Sequence, residues 1–468
     1  MFLLYFFKNL CLHLRGKTEN SMTVGLKWIV SFCIITLVAV GGLFWSPIAD
    51  FPNTGEFLGE ENIVGADVAW ILAAAGLVLL MTPGLSFFYG GMVGKKNVIS
   101  TMLQSFIALG VISILWVVIG FSLSFGDSIG FTINGEHYGI IGNPLSYPFF
   151  NRVGVLPHKY MASTIPFILF ALFQMKFAVI TPALITGSFA ERVRFISYLL
   201  FMVLFSIFIY TPLCHMVWYP EGLLNKYFGV KDFAGGTVVH MSAGFAALAG
   251  ALVVGNRKRP HHDPSNISYV LLGTGMLWFG WFGFNAGSAL SANATAATAF
   301  GTTTIASASA MMTWIFFDRI NKRKVSALGA CIGAVVGLVA ITPGCGFVSV
   351  SESLFIGFIS AIVSNMMMNW KALKKIDDTL DVFACHGVGG IMGMILTAIF
   401  AHGENASLLH GGLEVFAHHM AALLLVSIFT FFGSLLLYKI TNRIITLRVS
   451  EESENLGLDI SQHEESLC

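Results

Sequence analysis

Two histidines, His240 and His386, lie inside apolar runs where ionisable side chains are rare. The first belongs to DFAGGTVVHMSAG, which opens on Asp232 and reaches His240 eight residues later. Along a helix that spacing is about 12 Å. The run stays apolar to about Val254, enough for the roughly 20 residues a bilayer core demands. The second belongs to DVFACHGVGG, where Asp381 precedes His386. Both stretches share H-x-x-x-G, as His240/Gly244 and His386/Gly390. Ionisable groups at such depth are costly, and their presence points to function. A neutral imidazole has one donor and one acceptor, so two facing rings can share a proton and continue a polar line through an apolar tube. A metal site is the competing chemistry. Two nitrogens without nearby thiols or convergent carboxylates fall short of usual coordination, so neither metal nor cofactor is expected.

The composition states what must hold these residues. Hydrophobic residues make up 56% of the 468 and charged ones only 11%, with a mean hydropathy of +0.77. Soluble domains carry about 25% charge, so this is an all-α polytopic membrane protein. The net charge of +1 identifies no partner, since the charges sit in loops. The seven cysteines show no C-x-x-C spacing and are read as unpaired.

Residues 22–49 read as a signal peptide: Lys27, then the apolar run WIVSFCIITLVAVGGLFW, with Ala39 and Gly41 as a small-x-small cleavage pattern. Residues 1–21 are then an extension ahead of a second start at Met22, and an uncleaved extra span is the alternative. Eleven spans follow, roughly 65–91, 98–125, 159–188, 194–218, 232–255, 268–291, 294–317, 325–342, 347–369, 381–401 and 414–438. If the first starts outside, the inner loops and tail hold 17 Lys and Arg, against four (Arg152, Lys159, Lys226 and Lys231) in the outer loops. The positive-inside rule then sets the mature N-terminus outside and the C-terminus in the cytoplasm of a cell's inner membrane. A membrane domain over 50–442 and a cytoplasmic tail over 443–468 result. Spans one and six share an aromatic-then-small ending, and spans five and ten share the Asp/His stretches. Five is odd, so a five-plus-five repeat is inverted across the membrane, a transporter architecture with its site between the halves. The eleventh span lies outside the repeat.

Long stretches carry a resemblance. FQMKFAVITPALITGSFAERVRF, DFAGGTVVHMSAGFAALAGALVVGNRK, WFGWFGFNAGS and DDTLDVFACHGVGG resemble the ammonium transporter (Amt/Mep/Rh) family, in its bacterial Amt branch. The tail LRVSEESENLGLDISQHEES is similar to that branch's tail, and the likeness covers about 65–468. The resemblance implies a homotrimer with one pore per subunit, ammonium and methylammonium as substrates, and a cytoplasmic PII-type signalling protein as partner. It implies an external ammonium site at Trp218, with Ser288 and Phe173 beside it. By position alone Trp218 reads as an interfacial belt residue. It further implies Phe177 and Phe284 as stacked rings that close the pore, and His240 and His386 as its lining and proton relay. Asp232 is read as a helix cap that places negative potential under the mouth without touching the substrate. Asp381 takes a helix-start role outside the pore, and the YPEGLLNKYFGVK loop runs about two residues longer than the family's pattern. Lys176, beside Phe177, matches no part of that pattern and must snorkel, pair or titrate.

Recruitment of the ion, loss of its proton and passage as ammonia is the mechanism this implies. Whether the proton follows or returns outside stays open. Two rivals remain: a membrane enzyme using the histidines as an acid–base or metal pair, and an ammonium sensor. The tail after residue 442 is about 26 residues long, which suits a docking surface better than an output domain.

Overall fold

The computed structural model describes residues 19–44, 55–260, 263–370, 375–403 and 406–467. The chain forms two units, Met1–Asp50 and Phe51–Cys468. In the first, Glu19–Gly42 is a 24-residue helix. The remainder of the expected extension and leader, residues 1–18 and 45–49, lies outside the described residues.

The second unit is a bundle of helices, named here in chain order. They are α1 (Gly65–Met92), α2 (Val98–Phe125), α3 (Phe167–Phe189), α4 (Phe195–Trp218), α5 (Gly236–Val254) and α6 (Ile267–Gly287). They continue as α7 (Ala294–Ile320), α8 (Ala327–Ile341), α9 (Val350–Met368), α10 (Phe383–Phe400) and α11 (Leu413–Ile444). Among the described residues of this chain nine helices are long and apolar enough to cross a membrane. The expected seventh and eighth spans are helices too, but α7 is diluted by Thr and Ser, and α8 has only 15 residues. At 1.5 Å per residue α8 is about 22 Å long, short of a hydrocarbon core. Its residues from Cys331 to Ile341 are all buried, so protein rather than lipid covers it.

The all-α expectation needs one amendment. Strands β1 (Ser128–Ile133) and β2 (Glu136–Gly142) pair antiparallel between α2 and α3. They meet at Asn134-Gly135, both with positive φ, the sequence and geometry of a tight hairpin turn.

Small residues decide how the helices cross. Gly84 and Gly91 of α1 lie against the backbone of α6 around Leu277 and Val270, while Gly273 and Gly283 of α6 lie against Phe88 and Ala74 of α1. The two helices are therefore antiparallel and in backbone contact. Dispersion between close backbones is what binds helices where lipid is as apolar as the side chains. Four helices also carry a widened π turn: Trp116–Gly120 in α2, Ser206–Tyr210 in α4, Gly236–Met241 in α5 and Phe383–Val388 in α10. Such bulges recur at functional sites. Two of the four contain His240 and His386.

The tail is folded back on the bundle. Asp459 accepts from Ile99 N (3.1 Å) and Ser100 N (2.8 Å), satisfying donors that the first turn of α2 cannot use internally. Leu458 N donates to Asn97 Oδ1 (2.8 Å). On the same end of the bundle the buried Arg192 donates to the carbonyls of Gly255, Ser188 and Asp377, and Arg257 bridges Glu191 and Asp377. Those pairs hold Asp377 below the usual carboxylate range, against the opposing effect of burial.

Candidate functional site

The H-x-x-x-G pattern acquires a geometric reason here. A Cβ at Gly244 would strike the backbone of Gly387, and one at Gly390 would sit 3.0 Å from Gly236 O. Each glycine follows its histidine by one turn and lets the opposite helix come close. Helices α5 and α10 thus cross antiparallel, and their histidines meet: Nδ1 of His240 and Nδ1 of His386 are 3.3 Å apart, with ring centroids at 5.4 Å. Both are buried.

Asp232 sets the start of α5. Its Oδ1 accepts from Gly235 N (2.8 Å) and Gly236 N (2.6 Å), and its Oδ2 accepts from Thr237 N (2.7 Å) and the Thr237 hydroxyl (2.5 Å). Gly235 makes this wrap possible with φ of 122°, a value side chains resist. The backbone carbonyl of Asp232 accepts from Trp218 Nε1 (3.0 Å), fixing the indole. In α10 Asp378 shares the helix start with Asp381: its Oδ2 accepts from Phe383 N (2.7 Å), while the Asp381 carbonyl accepts from Cys385 N (3.0 Å). Asp381 stands directly before the helix, with φ of 54°.

From Trp218 inward the rings form a sequence. Trp218 stands edge-on to Phe177 (5.8 Å), with Phe173 edge-on to Phe177 from one turn away (5.0 Å). Phe177 lies over Phe284 at 4.4 Å. Phe284 stacks on His240 at 5.9 Å. Above Phe177 a recess of about 200 Å³ is lined by Trp218, Ser288, Gln174, Tyr160 and Phe233, among others. The Ser288 hydroxyl donates to Phe284 O (2.8 Å). Beyond His386 a much smaller apolar recess, about 10 Å³, is lined by Phe88, Tyr89, Ile332 and Cys385.

Two participants, Trp281 and Thr342, escaped sequence reasoning. Trp281 stacks on His240 at 5.3 Å and donates from Nε1 to Thr342 Oγ1 (2.9 Å), which also lies 3.4 Å from His240 Nε2. Trp281 sits within WFGWFGFNAGS, but nothing local sets one tryptophan of that stretch above another. Thr342 comes from α8's far end and had no signal at all. Asn285 donates to Thr303 Oγ1 (2.9 Å), a link between α6 and α7. Lys176 is half-buried and makes no hydrogen bond or ion pair with a described residue. No group of His, Cys, Asp and Glu among the described residues could hold a metal.

Residues 69–467 match the sequence profile of the Ammonium Transporter Family. An ammonium transporter of Bacillus subtilis is 42% identical over 85% of this chain and 97% of its own. One from Aquifex aeolicus is 40% identical over 87% and 95%. Among solved structures, Mep2 of Saccharomyces cerevisiae superposes with a TM-score of 0.76 at 31% identity, covering 84% of this chain and 89% of that one. A sensor Amt protein gives 0.78 at 29% identity, over 86% of this chain and all of its own. These relatives are transporters and sensors of the membrane, not enzymes. The chain belongs to the ammonium transporter family.

Proposed function

We propose that the protein carries ammonium across a membrane by recruiting the ion at Trp218 and Ser288, removing its proton and passing ammonia between Phe177 and Phe284 and along His240 and His386. The observation that carries this reading is the 3.3 Å contact between the two Nδ1 atoms, buried behind stacked rings. Burying a bare ion costs tens of kcal/mol by Born estimates. Removing its proton at pH 7 costs roughly 4.6 kcal/mol, taking a lysine amine (pKa ~10.4) as proxy. Deprotonation is the cheaper route, and potassium has no proton to give.

The hydrogen bonds suggest how the pair is set. Thr342 Oγ1 donates its only proton to Leu338 O (2.8 Å), so it faces His240 Nε2 as an acceptor. His240 then carries its proton on Nε2 and accepts at Nδ1 from His386 Nδ1–H. That leaves Nε2 of His386 as the free acceptor of the pair. A proton entering at one ring can leave from the other without either becoming a buried pair of cations.

Eleven spans in an inverted five-plus-five repeat are part of this reading. The antiparallel crossings of α1 with α6 and α5 with α10 support it. A homotrimer, methylammonium as a second substrate and a PII-type partner follow from the resemblance alone, a cleaved leader from the Lys27 run and its small-x-small pattern, and the orientation from the loop charges. Uptake of labelled methylammonium in transport-deficient cells tests the whole. Ammonium-evoked current in proteoliposomes, with His240→Ala and His386→Ala, tests the relay. Both variants should stay folded and lose the current. Normal current from a folded variant would end the relay.

A further inference from the structure

At the end of the bundle away from Trp218, a cavity of about 310 Å³ opens between the α1–α2 turn, the chain after α5 and the tail. That volume falls at the lower end of sites that hold small ligands. Its walls carry five cationic side chains, from Lys95, Lys96, Arg257, Lys258 and Arg259, against the carboxylates of Glu191 and Glu454. Basic residues at one membrane face are ordinary. Here the question is which of them already have a partner.

Both carboxylates are occupied. Glu191 accepts from Gly94 N (2.7 Å) and Arg257 Nη1 (2.8 Å), and Glu454 accepts from Lys258 N (2.7 Å) and Arg448 Nη2 (2.8 Å). Arg257 also pairs with Asp377, and Lys258 with Glu451 (3.4 Å). Three cations remain. Lys96 Nζ donates only to the Asn455 carbonyl (3.3 Å), and the Lys95 and Arg259 side chains make no hydrogen bond or ion pair with a described residue. Arg192, next to Glu191 in sequence, shows the contrast: every N–H of its guanidinium is used by protein oxygens. The cavity therefore gathers positive charge that the fold does not consume.

We propose that this cavity binds a phosphoryl group, borne by a small phosphorylated solute or by an anionic lipid headgroup, and that the occupant fastens the tail to the bundle. A phosphoryl group offers several acceptor oxygens at once, matching a guanidinium fork and two ammonium groups. The tail supplies Glu454 and Asn455 to one wall, and the two loops supply the others. A ligand that binds only when the tail is docked must, by linkage, favour docking.

The test uses the purified full chain without ammonium, so its failure leaves the transport reading untouched. Inorganic phosphate is titrated against chloride at matched ionic strength, with binding followed by calorimetry and tail docking by hydrogen exchange over residues 450–463. Phosphate should bind and slow exchange of the tail amides several-fold, and Lys95→Gln/Arg259→Gln should weaken binding at least tenfold. Neither substituted side chain has a hydrogen-bond or ion-pair partner among the described residues, so the melting temperature should not move, and Lys95→Gln alone serves if it does. A second arm places the protein in nanodiscs of phosphatidylcholine with or without phosphatidylglycerol. Tail protection that follows phosphatidylglycerol rather than phosphate, and that the double variant loses, assigns the group to a lipid. No response to either probe, or an equal response in wild type and variant, overturns the site.

Discussion

The two histidine-bearing helices start in the same way and are finished differently. Asp232 and Asp378 each precede their histidine by eight residues, and each accepts hydrogen bonds from the first turn of a helix with a π bulge. Asp232 takes four bonds on two oxygens and lends its carbonyl to Trp218. Asp378 engages Phe383 N through Oδ2, while its Oδ1 finds no partner among the described residues. One carboxylate is saturated and the other is not. The saturated one holds α5 and the aromatic mouth in one arrangement; the other stands next to the Arg192 and Arg257 network and the docked tail. Rigidity is concentrated where the ion is expected to be selected, and titratability at the end of the bundle that meets the tail.

The largest effect separating the halves should come from Asp232→Ala. It strands three backbone donors and the Thr237 hydroxyl in a buried place, and bonds to a charged group are worth about 1.5–3 kcal/mol each. A loss of roughly 4 kcal/mol or more is expected, read as a lower melting temperature together with loss of uptake. Stability equal to wild type would mean that the cap does not hold α5. Next comes the crossing itself. Gly244→Ala forces a methyl into the Gly387 backbone, whereas at Gly390 the nearest neighbours are at 3.0–3.2 Å and can give slightly. Overpacking of this kind costs about 1–3 kcal/mol. Gly244→Ala should fall at the upper end and Gly390→Ala at the lower. Equal melting temperatures for the two would break the argument that the helices touch more tightly on the Gly244 side.

The fold was largely legible because composition, loop charge and glycine spacing each act locally. The π bulges and the short α8 were not, since a bulge leaves no mark on composition and α8 is covered by neighbours distant in sequence. The hairpin had a visible cue in Asn134-Gly135, flanked by Ile133 and Tyr138, which a search for spans passed over. The histidines could be read because polar groups stand out in apolar runs. Asp378 could have been found as well: D-x7-H occurs before both histidines, but Asp381 lay nearer and drew the assignment. Trp281 and Thr342 could not have been found, because only the fold brings α6 and the end of α8 to the His240 ring.

The incomplete satisfaction of Asp378 gives the tail-side half a pH dependence. Burial raises its carboxyl to about 6, partly offset by the Phe383 and Val382 amides and by Arg192. In the unfolded chain the value is near 3.8. Below pH 4 both states hold the proton and the contribution to stability is fully present. Between about pH 4 and 6 the unfolded chain releases its proton first, so stability falls as pH rises, and above 6 the loss is complete. The size is about 1–3 kcal/mol. Asp378→Asn should remove that slope, so melting curves of wild type and variant converge toward pH 4 and separate by pH 7, with the variant higher. Parallel curves would show that Asp378 does not titrate in this window.

Trp218 offers the smallest effect and isolates the half of the molecule away from the tail. Its indole N–H is fixed on the Asp232 carbonyl and its ring stands edge-on to Phe177, so the face that could meet a cation borders the recess. A cation over an indole face gains about 0.5–2 kcal/mol. Trp218→Leu should therefore raise the half-saturation concentration for methylammonium about 2- to 30-fold while the maximal rate changes little. Phe284 and the histidines lie deeper and keep their contacts, while Phe177 loses only its edge contact with the indole. Trp218→Phe keeps an aromatic face but loses the hydrogen bond to Asp232, so it should fall between wild type and Leu. If Phe matched Leu, orientation by Asp232 would be the whole contribution and the ring face would count for nothing. If the maximal rate fell with half-saturation unchanged, Trp218 would be a belt residue that supports the fold. Only a graded rise across Trp, Phe and Leu fits the proposed role of the Asp232 cap, which is to aim one ring at the ion.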